Sequence, residues 1–247
     1  MNLDKMRVAI VVPLRNEERN VSRLLDSLSQ GEIHESEVFL IEGNSLDETF
    51  TELVRKNSQS KKHFKVMKQT YKGKFGATRT FLSLDEADEF THVFVWDGDM
   101  TIPLIDNLRL LEVAKEYPDA FVTGSRYQSA IRNRSIPFVN FVGNILFSLL
   151  WSVITKSKPI DVLCGSKISL ISDLNQLPLK LLESDYYGDI AMLFSASRNR
   201  RKIIVKKIEY VKRTHGTSNI KPFLGGFRIL RAMFFCLSFI ILPSRVG

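Results

Sequence analysis

The stretch that decides the fold is His92–Asp99, HVFVWDGD. Its first five residues form a mainly apolar run without alternation, which is typical of a strand buried on both faces of a parallel sheet. The run leads directly into Asp97-Gly98-Asp99, which places two carboxylates on a tight turn. Hard divalent cations such as Mg²⁺ or Mn²⁺ take oxygen ligands of this kind. Alone the tripeptide is more often a polar turn, but its place after a buried strand favours a metal site.

The segments around this strand repeat the same design. Short runs rich in β-branched or apolar residues, Arg7–Val12, Glu37–Ile41, Lys65–Lys68 and Ala120–Thr123, are separated by segments with helical periodicity. This alternation predicts an α/β fold, a doubly wound and mostly parallel sheet with helices on both faces. Ligands of such sheets bind beyond the carboxyl ends of the strands, so the loops after Val12, Ile41 and Trp96 are expected at one edge.

Length, charge and cysteine content narrow the function classes. The 247 residues suit one large α/β domain, or one domain with an appendage, and the 25% charged content argues against disorder. A formal charge of +8 indicates an anionic partner, which could be nucleic acid, a membrane surface or a phosphorylated substrate. The two cysteines lie outside any zinc or disulfide spacing. Without a signal-peptide pattern, we expect a cytoplasmic protein.

The last part of the chain contains two apolar segments. Phe138–Thr155 has 18 residues without charge, and Asn140 and Asn144 lie on one side of it, so a core or interfacial helix is expected rather than a spanning one. Residues 222–247 follow a predicted main domain of residues 1–221. Their uncharged core, Ala232–Leu242, is too short to span. Flanking arginines suit a helix in the headgroup region, and the alternative is packing on the domain or on a second subunit.

Further candidate binding groups follow the predicted strands or lie late in the chain. Glu42 and Asn44 suit hydrogen bonds to a ribose or base, and Lys74 belongs to a basic glycine-bearing loop, residues 71–79, suited to a diphosphate. A solvated basic loop is the alternative. Residues 210–221 add groups that fit phosphate oxygens, among them Arg213, Ser218 and Lys221.

Asp189 opens an otherwise apolar helix after Gly188. A carboxylate at a helix N-terminus is favourable in any protein, so simple capping is one interpretation. The other is a base or orienting group beside an acceptor, a role for which Glu183 and Asp185 are rivals.

Several segments, taken in order, resemble glycosyltransferase family two, and within it the dolichol-phosphate mannosyltransferase-like branch. VVPLRNEERNVSRLLDSL resembles the opening nucleotide-binding segment of the family, IEGNSLDET stands where D-D-G-S-x-D-x-T is usual, and WDGDMTIP matches the D-x-D with its trailing proline. GSRY, DVLCGSKISL and RTHGTSN follow in the expected order, the last resembling R-x-x-G-x-S-K. The resemblance implies a GT-A fold and reaches to about residue 221.

The resemblance and the chemistry of the residues together give expected roles to particular positions. The metal would be bound by Asp97 and Asp99, and the catalytic carboxylates would be Asp99 and Asp189. The groups expected to bind the nucleotide sugar are Pro13, Arg15, Asn16, Glu17, Glu42, Asn44, Lys74, Asp97 and Gly98. The groups expected to bind phosphates or the acceptor are Arg126, Arg132, Arg134, Arg213, Ser218 and Lys221. Glu42-Gly43-Asn44 departs from the usual acidic pair, which leaves the base, uracil or guanine, open.

The expected activity is metal-assisted, inverting transfer of a sugar from a nucleoside diphosphate. The expected acceptor is a polyprenyl phosphate or another lipid at the cytoplasmic face of a membrane. If the acceptor is instead a hydroxyl group, Asp189 should act as general base. A non-catalytic nucleotide-sugar-binding module is a further alternative. A nucleic-acid binder would explain the charge but not the carboxylate loops, and a homo-oligomer is compatible with the sequence.

Overall fold

A computed structural model describes residues 6–31, 33, 36–177, 188–213 and 222–241. Seven strands form one sheet in the order β3-β2-β1-β4-β6-β5-β7. Their bounds are Val8–Leu14 (β1), Ser36–Glu42 (β2), Lys65–Lys68 (β3), His92–Val95 (β4), Phe121–Ser125 (β5), Lys167–Leu170 (β6) and Ile203–Lys207 (β7).

Most neighbouring strands in this sheet are parallel. β1 pairs in parallel with both β2 and β4, with Leu14 opposite Glu42 at the carboxyl end. β6 is antiparallel to both β4 and β5, so its first residue, Lys167, lies at the edge where the other strands end. The predicted α/β fold, a mostly parallel sheet with helices on both faces, is confirmed.

Helices cover both faces of the sheet. They are Val21–Gln30 (α1), Thr49–Gln59 (α2), Lys74–Leu82 (α3), Leu104–Glu116 (α4), Tyr127–Asn133 (α5), Phe138–Thr155 (α6), Ile171–Leu174 (α7), Gly188–Arg198 (α8) and Pro222–Ile241 (α9). Because side chains alternate along a strand, β1 sends Ala9 and Val11 into a core shared with α3, α6, α8 and α9. Ile10 and Val12 join the opposite core, which α1, α2 and α4 cover.

Local structure differs from the sequence prediction in two basic segments. The predicted loop 71–79 is a loop only to Gly73, whose φ of 88° suits glycine, and helix α3 begins at Lys74. The connector predicted between Arg126 and Arg134 contains α5, because Ser129 and Ala130 turn one side of it into the protein. β6 and β7 were not predicted, since strands of four and five residues carry little periodic signal.

Helices α6 and α9 lie side by side against one core of the sheet. In α6 the buried residues Asn144, Phe147, Ser148 and Trp151 recur at helical spacing, so one side of the helix is buried and the opposite side is exposed. Within the described residues, α6 is the one helix long and apolar enough to cross a bilayer by length and composition. The buried side of α6 agrees with the predicted core or interfacial helix.

The described part of α9 is likewise two-sided. Ile229, Ala232, Met233 and Cys236 are buried in the core, so this helix does pack on the domain. Phe227 and Phe234 on its other side are 68% and 59% exposed. Packing on the domain and contact with a further surface are therefore not exclusive alternatives for this segment.

Candidate active site

The candidate site lies at the sheet edge where the parallel strands end. The loops after β1, β2 and β4 meet there, together with the start of β6. Gly98 shows how closely they approach: a Cβ atom on it would lie 2.5 Å from Leu14 Cδ2 and 3.0 Å from the Pro13 carbonyl oxygen. Only glycine allows the carboxylate turn to rest on the β1 loop.

Asp99 lies on the side of this turn that faces the β1 loop. Thr101 Oγ1 donates to Asp99 Oδ1 at 2.7 Å, and Arg213 donates to Asp99 Oδ2 at 2.5 Å. The same guanidinium lies 3.7 Å from Glu17 Oε1. Burial alone would raise the pKa of Asp99, but Arg213 and Thr101 outweigh it and keep that pKa below its usual value. Asp99 is therefore an anion over the whole neutral range.

Asp97 takes part in a chain of alternating charges. Lys74 Nζ lies 2.6 Å from Asp97 Oδ1 and 3.7 Å from Asp189 Oδ2. Lys167 Nζ lies 2.9 Å from the other oxygen of Asp189. The structure thus brings together two predicted groups, Lys74 and Asp189, with the metal-binding candidate. Lys74 has this position because α3 begins at the edge rather than continuing a loop.

Burial and two ammonium groups set the state of Asp189. Burial raises the pKa of this carboxyl, but Lys167 and Lys74 outweigh it and the pKa lies below its usual value. The carboxylate is thereby a weaker proton acceptor than an ordinary aspartate. Its placement in the first turn of α8 also agrees with the capping interpretation, and its two lysine contacts favour an orienting role over that of a base.

Two residues that contact this candidate site were not predicted from the sequence. Lys167 is fully buried at the start of β6, and a lysine opening an otherwise apolar KISL strand was the signal. Gly165 is the second: a Cβ atom there would lie 1.7 Å from Asp97 Oδ2. Glycine at this position leaves the space that the Asp97 carboxylate occupies.

The β1 and β2 loops are joined by hydrogen bonds around Asn16. Its amide N–H donates to Ser45 Oγ at 2.9 Å, and its side-chain oxygen accepts from the Leu46 amide at 2.8 Å. Asn16 and Asn44 both have a φ of 56°, a left-handed conformation that asparagine tolerates. The buried Glu42 carboxylate accepts from the Ser45 amide, which orients it beside the loop.

Glu17, the next residue of the β1 loop, is also held by hydrogen bonds. Its amide donates to Thr49 Oγ1 at 2.9 Å, and its carboxylate accepts from Asn20 at 2.5 Å. Burial raises the pKa of Glu17, only partly opposed by Asn20 and Arg213. Arg15 and Asn44 are exposed beside it, whereas Pro13 is half-buried under the carboxylate turn. The six predicted nucleoside-binding residues of these two loops therefore share one edge.

The predicted phosphate-binding arginines have different surroundings. Arg126 is half-buried, and its guanidinium forms two 2.8 Å hydrogen bonds with Asp161. The Asp161 carboxylate also accepts from the Arg126 amide at 3.0 Å and from the Asn144 side-chain amide of α6 at 2.6 Å. Arg132 is exposed and paired with Glu209. Arg134 is exposed with a φ of 50°. Of these predicted arginines, the structure brings Arg213 to the carboxylate turn. The candidates Ser218, Lys221, Glu183 and Asp185 lie outside the described residues.

The donor atoms at the turn fit a hard divalent cation. No group of three His, Cys, Asp or Glu side chains suited to a metal occurs among the residues that the structure describes. Asp97 and Asp99, both partly accessible, would therefore be the protein ligands, and water or phosphate oxygens would complete the shell.

Comparison with solved structures gives the fold a name. A structure of glucosyl-3-phosphoglycerate synthase from Mycobacterium tuberculosis with Mn²⁺, UDP-glucose and phosphoglyceric acid matches 98% of this chain and 83% of its own, with a TM-score of 0.69 and 16% identity. A structure of the same synthase with Mg²⁺ and UDP matches 98% and 82%, with a TM-score of 0.67 and 14% identity. At this identity the likeness shows the fold alone, which is GT-A.

Sequence comparison shows the family. No curated protein sequence matches this chain. The profile described as "Glycosyl transferase family 2" matches residues 9–173, a span that runs from the second residue of β1 past the end of β6 and contains the carboxylate turn. This confirms the expected enzyme class, a nucleotide-sugar glycosyltransferase. The chain belongs to glycosyl transferase family 2.

Proposed function

We propose that this enzyme transfers a sugar from a uridine diphosphate sugar to a polyprenyl phosphate at the cytoplasmic face of a membrane. The observation that carries the donor half is the meeting of Glu42, Asp97, Asp99 and Lys74 at one sheet edge. Uridine is favoured over guanosine because several of the similar solved structures are complexes with UDP or UDP-glucose.

The donor would lie across this edge with its parts in separate places. The nucleoside would lie against the loops that carry Asn16 and Glu42, where loop hydrogen bonds fix the acceptor oxygens. The diphosphate fits the turn, with Lys74 and Arg213 as cations. A Mg²⁺ or Mn²⁺ ion bound by Asp97 and Asp99 would neutralise charge on the departing diphosphate. The ions named with the similar structures, Mn²⁺ and Mg²⁺, support this choice.

The acceptor half rests first on Asp189. A hydroxyl acceptor needs a base to take its proton, and a carboxylate held between Lys167 and Lys74 is poorly suited to that task. A phosphate acceptor is already anionic and needs positioning rather than deprotonation. Asp189 would then orient Lys74 toward the diphosphate, as its 3.7 Å contact with that ammonium suggests.

The polyprenyl chain is the second part of the acceptor proposal. Phosphoglyceric acid, the phosphorylated compound named with one similar structure, is small and soluble. In this chain two helices, α6 and α9, have exposed apolar sides next to the same domain. A lipid phosphate satisfies both the cationic edge and these helices. The same features support the dolichol-phosphate mannosyltransferase-like branch. Thr101, which replaces the glutamine often found after the D-x-D in polyprenol-phosphate enzymes, departs from it.

The proposed reaction is a single displacement. A phosphate oxygen of the acceptor attacks the anomeric carbon, and the bond from that carbon to the diphosphate oxygen breaks. Uridine diphosphate leaves, and the configuration at the anomeric carbon of the transferred sugar is inverted. Lys74 and Arg213 stabilise the charge that develops on the leaving oxygen.

A transfer assay in detergent tests this proposal. Radiolabelled UDP-glucose, UDP-galactose and GDP-mannose are each incubated with Mn²⁺ and either polyprenyl phosphate, polyprenol or phosphoglyceric acid. We expect label in the lipid fraction with polyprenyl phosphate and a UDP sugar, and none with polyprenol. Transfer to polyprenol, or to phosphoglyceric acid alone, would contradict the lipid-phosphate acceptor. The variant D189N adds a second comparison. If the parent chain transfers sugar to polyprenol and D189N does not, Asp189 acts as a general base.

A further inference from the structure

Helices α6 and α9 are in contact and each has an exposed apolar side, and these two sides are called here the α6–α9 face. On α6 it consists of residues opposite the buried stripe: Phe138, Val139, Val142, Ile145, Leu146, Leu149 and Val153. On α9 it consists of Phe227, Leu230, Phe234 and Phe235. Single exposed apolar residues are ordinary, but a contiguous set from two adjacent helices marks an interaction surface.

The charges around this face have one sign. Residues 134–160 and 222–241, the two segments that contain these helices, include five Lys and Arg residues and no Asp or Glu. All five cations are exposed: Arg134 before α6, Lys156 and Lys158 after it, and Arg228 and Arg231 on α9.

We propose that the α6–α9 face docks on a bilayer surface that contains anionic lipid, with both helices lying in the plane of the interface. Apolar side chains would enter the acyl boundary while the flanking cations meet lipid phosphates. The proposal rests in part on the proposed function, because a lipid phosphate acceptor is met at such a surface, but the two can fail separately.

An in-plane position follows from what the other side of α6 does. Trp151 is fully buried, and Asn144 donates to the buried carboxylate of Asp161. A helix crossing the bilayer would have to expose these groups to lipid or carry the domain core with it, and an unpaired buried carboxylate is costly. Docking by one face keeps all of these contacts.

A second copy of the chain is the competing occupant, and the charges disfavour it. In a two-fold dimer the same surface meets itself, so Arg231 and the lysines after α6 would face like charges. No acidic side chain in either segment is there to balance them. An anionic lipid surface supplies the missing negative charge.

Flotation with lipid vesicles tests the docking proposal without any sugar donor. The full chain is mixed with vesicles of phosphatidylcholine alone, or of phosphatidylcholine with phosphatidylglycerol, at low and high salt. We expect flotation with the anionic vesicles, weakened by salt. V153S and F234S should each lower the fraction bound by about tenfold. R231E should lower it by at least about fivefold. The matched controls V54S and R23E, on helices that cover the other sheet face, should bind as the parent chain does.

Three outcomes would overturn the proposal. The first is no flotation of the parent chain with anionic vesicles. The second is flotation of V153S and F234S equal to that of the parent chain. The third is a dimer in sedimentation velocity that F234S converts to monomer while vesicles bind none of the parent chain. Circular dichroism of each variant separates lost docking from lost folding. Transfer to polyprenyl phosphate in detergent without flotation would sink the docking face alone, whereas flotation without transfer to any lipid phosphate would sink the proposed function alone.

Discussion

The carboxyl edge of the sheet and the α6–α9 face use charge in opposite ways. At the edge, carboxylates and cations alternate at short range, as in the chain from Asp97 through Lys74 and Asp189 to Lys167. At the face, apolar side chains are bordered by cations in segments without any acidic residue. In the proposed function the two surfaces therefore have separate tasks. The sheet edge would bind the charged donor in a fixed geometry, while the α6–α9 face would hold the protein at the lipid surface.

Asp161 is the point where the two regions touch. It accepts from Arg126, at the end of β5, and from Asn144, on the buried side of α6. Arg126 also lies 5.2 Å from the ring centre of Tyr210, in the segment that leads to Arg213. A substitution of Asp161 should therefore disturb the α6–α9 face and the sheet edge together, and its effect tests how strongly the two regions are coupled.

The largest effect is expected for D161N. Removing one partner of a buried ion pair leaves the other charge uncompensated, at a cost of about 3–5 kcal/mol in unfolding free energy. Urea denaturation followed by circular dichroism measures it, with D88N, an exposed aspartate, as the control. A loss no greater than that of D88N would show that Asp161 does not join the two regions.

The pH dependence of D161N checks the same contact. Burial alone would raise the pKa of Asp161, but Arg126 and Asn144 outweigh it and hold that pKa below its usual value. The unfolded chain then takes up the proton first, so this contribution is complete above about pH 4 and declines as the pH falls toward the folded pKa. The gap in stability between the parent chain and D161N should narrow below that pH.

The next effect in size is expected for D99N at the edge. If Asp99 binds the metal and balances Arg213, its replacement should lower sugar transfer by about 10²–10³-fold. Vesicle flotation should remain unchanged, because Asp99 is not part of the α6–α9 face. Transfer rates and flotation measured on the same preparation, with D88N as control, decide this. Loss of both properties would mean that the regions are not separate.

A somewhat smaller loss is expected for G165A. The added methyl group would require the Asp97 carboxylate to move, and a displacement of about 1 Å near reacting groups costs about 100-fold in rate. G143A in α6 is a matched control, since its Cβ atom would meet nothing nearer than Phe147 Cε2 at 4.0 Å. Equal transfer by the two variants would remove Gly165 from the site.

The smallest effect is expected within the face itself. Val153 is 75% exposed, so V153S should change the free energy of unfolding by less than about 0.5 kcal/mol. W151A, two residues away on the buried side, should cost about 3–5 kcal/mol. Thermal or urea unfolding compares the two. A large loss for V153S would mean that the exposed side of α6 is needed for folding rather than docking.

Much of the donor half was predictable because local sequence determines it. Buried strands followed by polar loops predicted the sheet, and parallel pairing then places Pro13, Glu42 and Asp97 at one edge. Lys167 and Gly165 escaped prediction for a physical reason. β6 runs antiparallel, so its first residue rather than its last lies at the site, and this reversal depends on long-range pairing that no local pattern records.

Other site features were predicted by type but not by contact. The basic character of residues 126–134 was visible, yet the sequence did not distinguish the half-buried Arg126, paired with Asp161, from the exposed Arg132, paired with Glu209. These partners are 35 and 77 positions away, so tertiary packing selects them. In the same way, the apolar character of α6 was evident, but its two-sided burial depends on α9.

Titration calorimetry of UDP with and without Mn²⁺ tests the central claim most directly. If the Asp97 turn is a metal-diphosphate site, Mn²⁺ should tighten UDP binding by at least about tenfold, equivalent to about 1.4 kcal/mol. The D97N/D99N double variant should bind UDP equally with and without the ion. UDP binding that is indifferent to Mn²⁺ in the parent chain, or an undiminished Mn²⁺ effect in the double variant, would contradict the account.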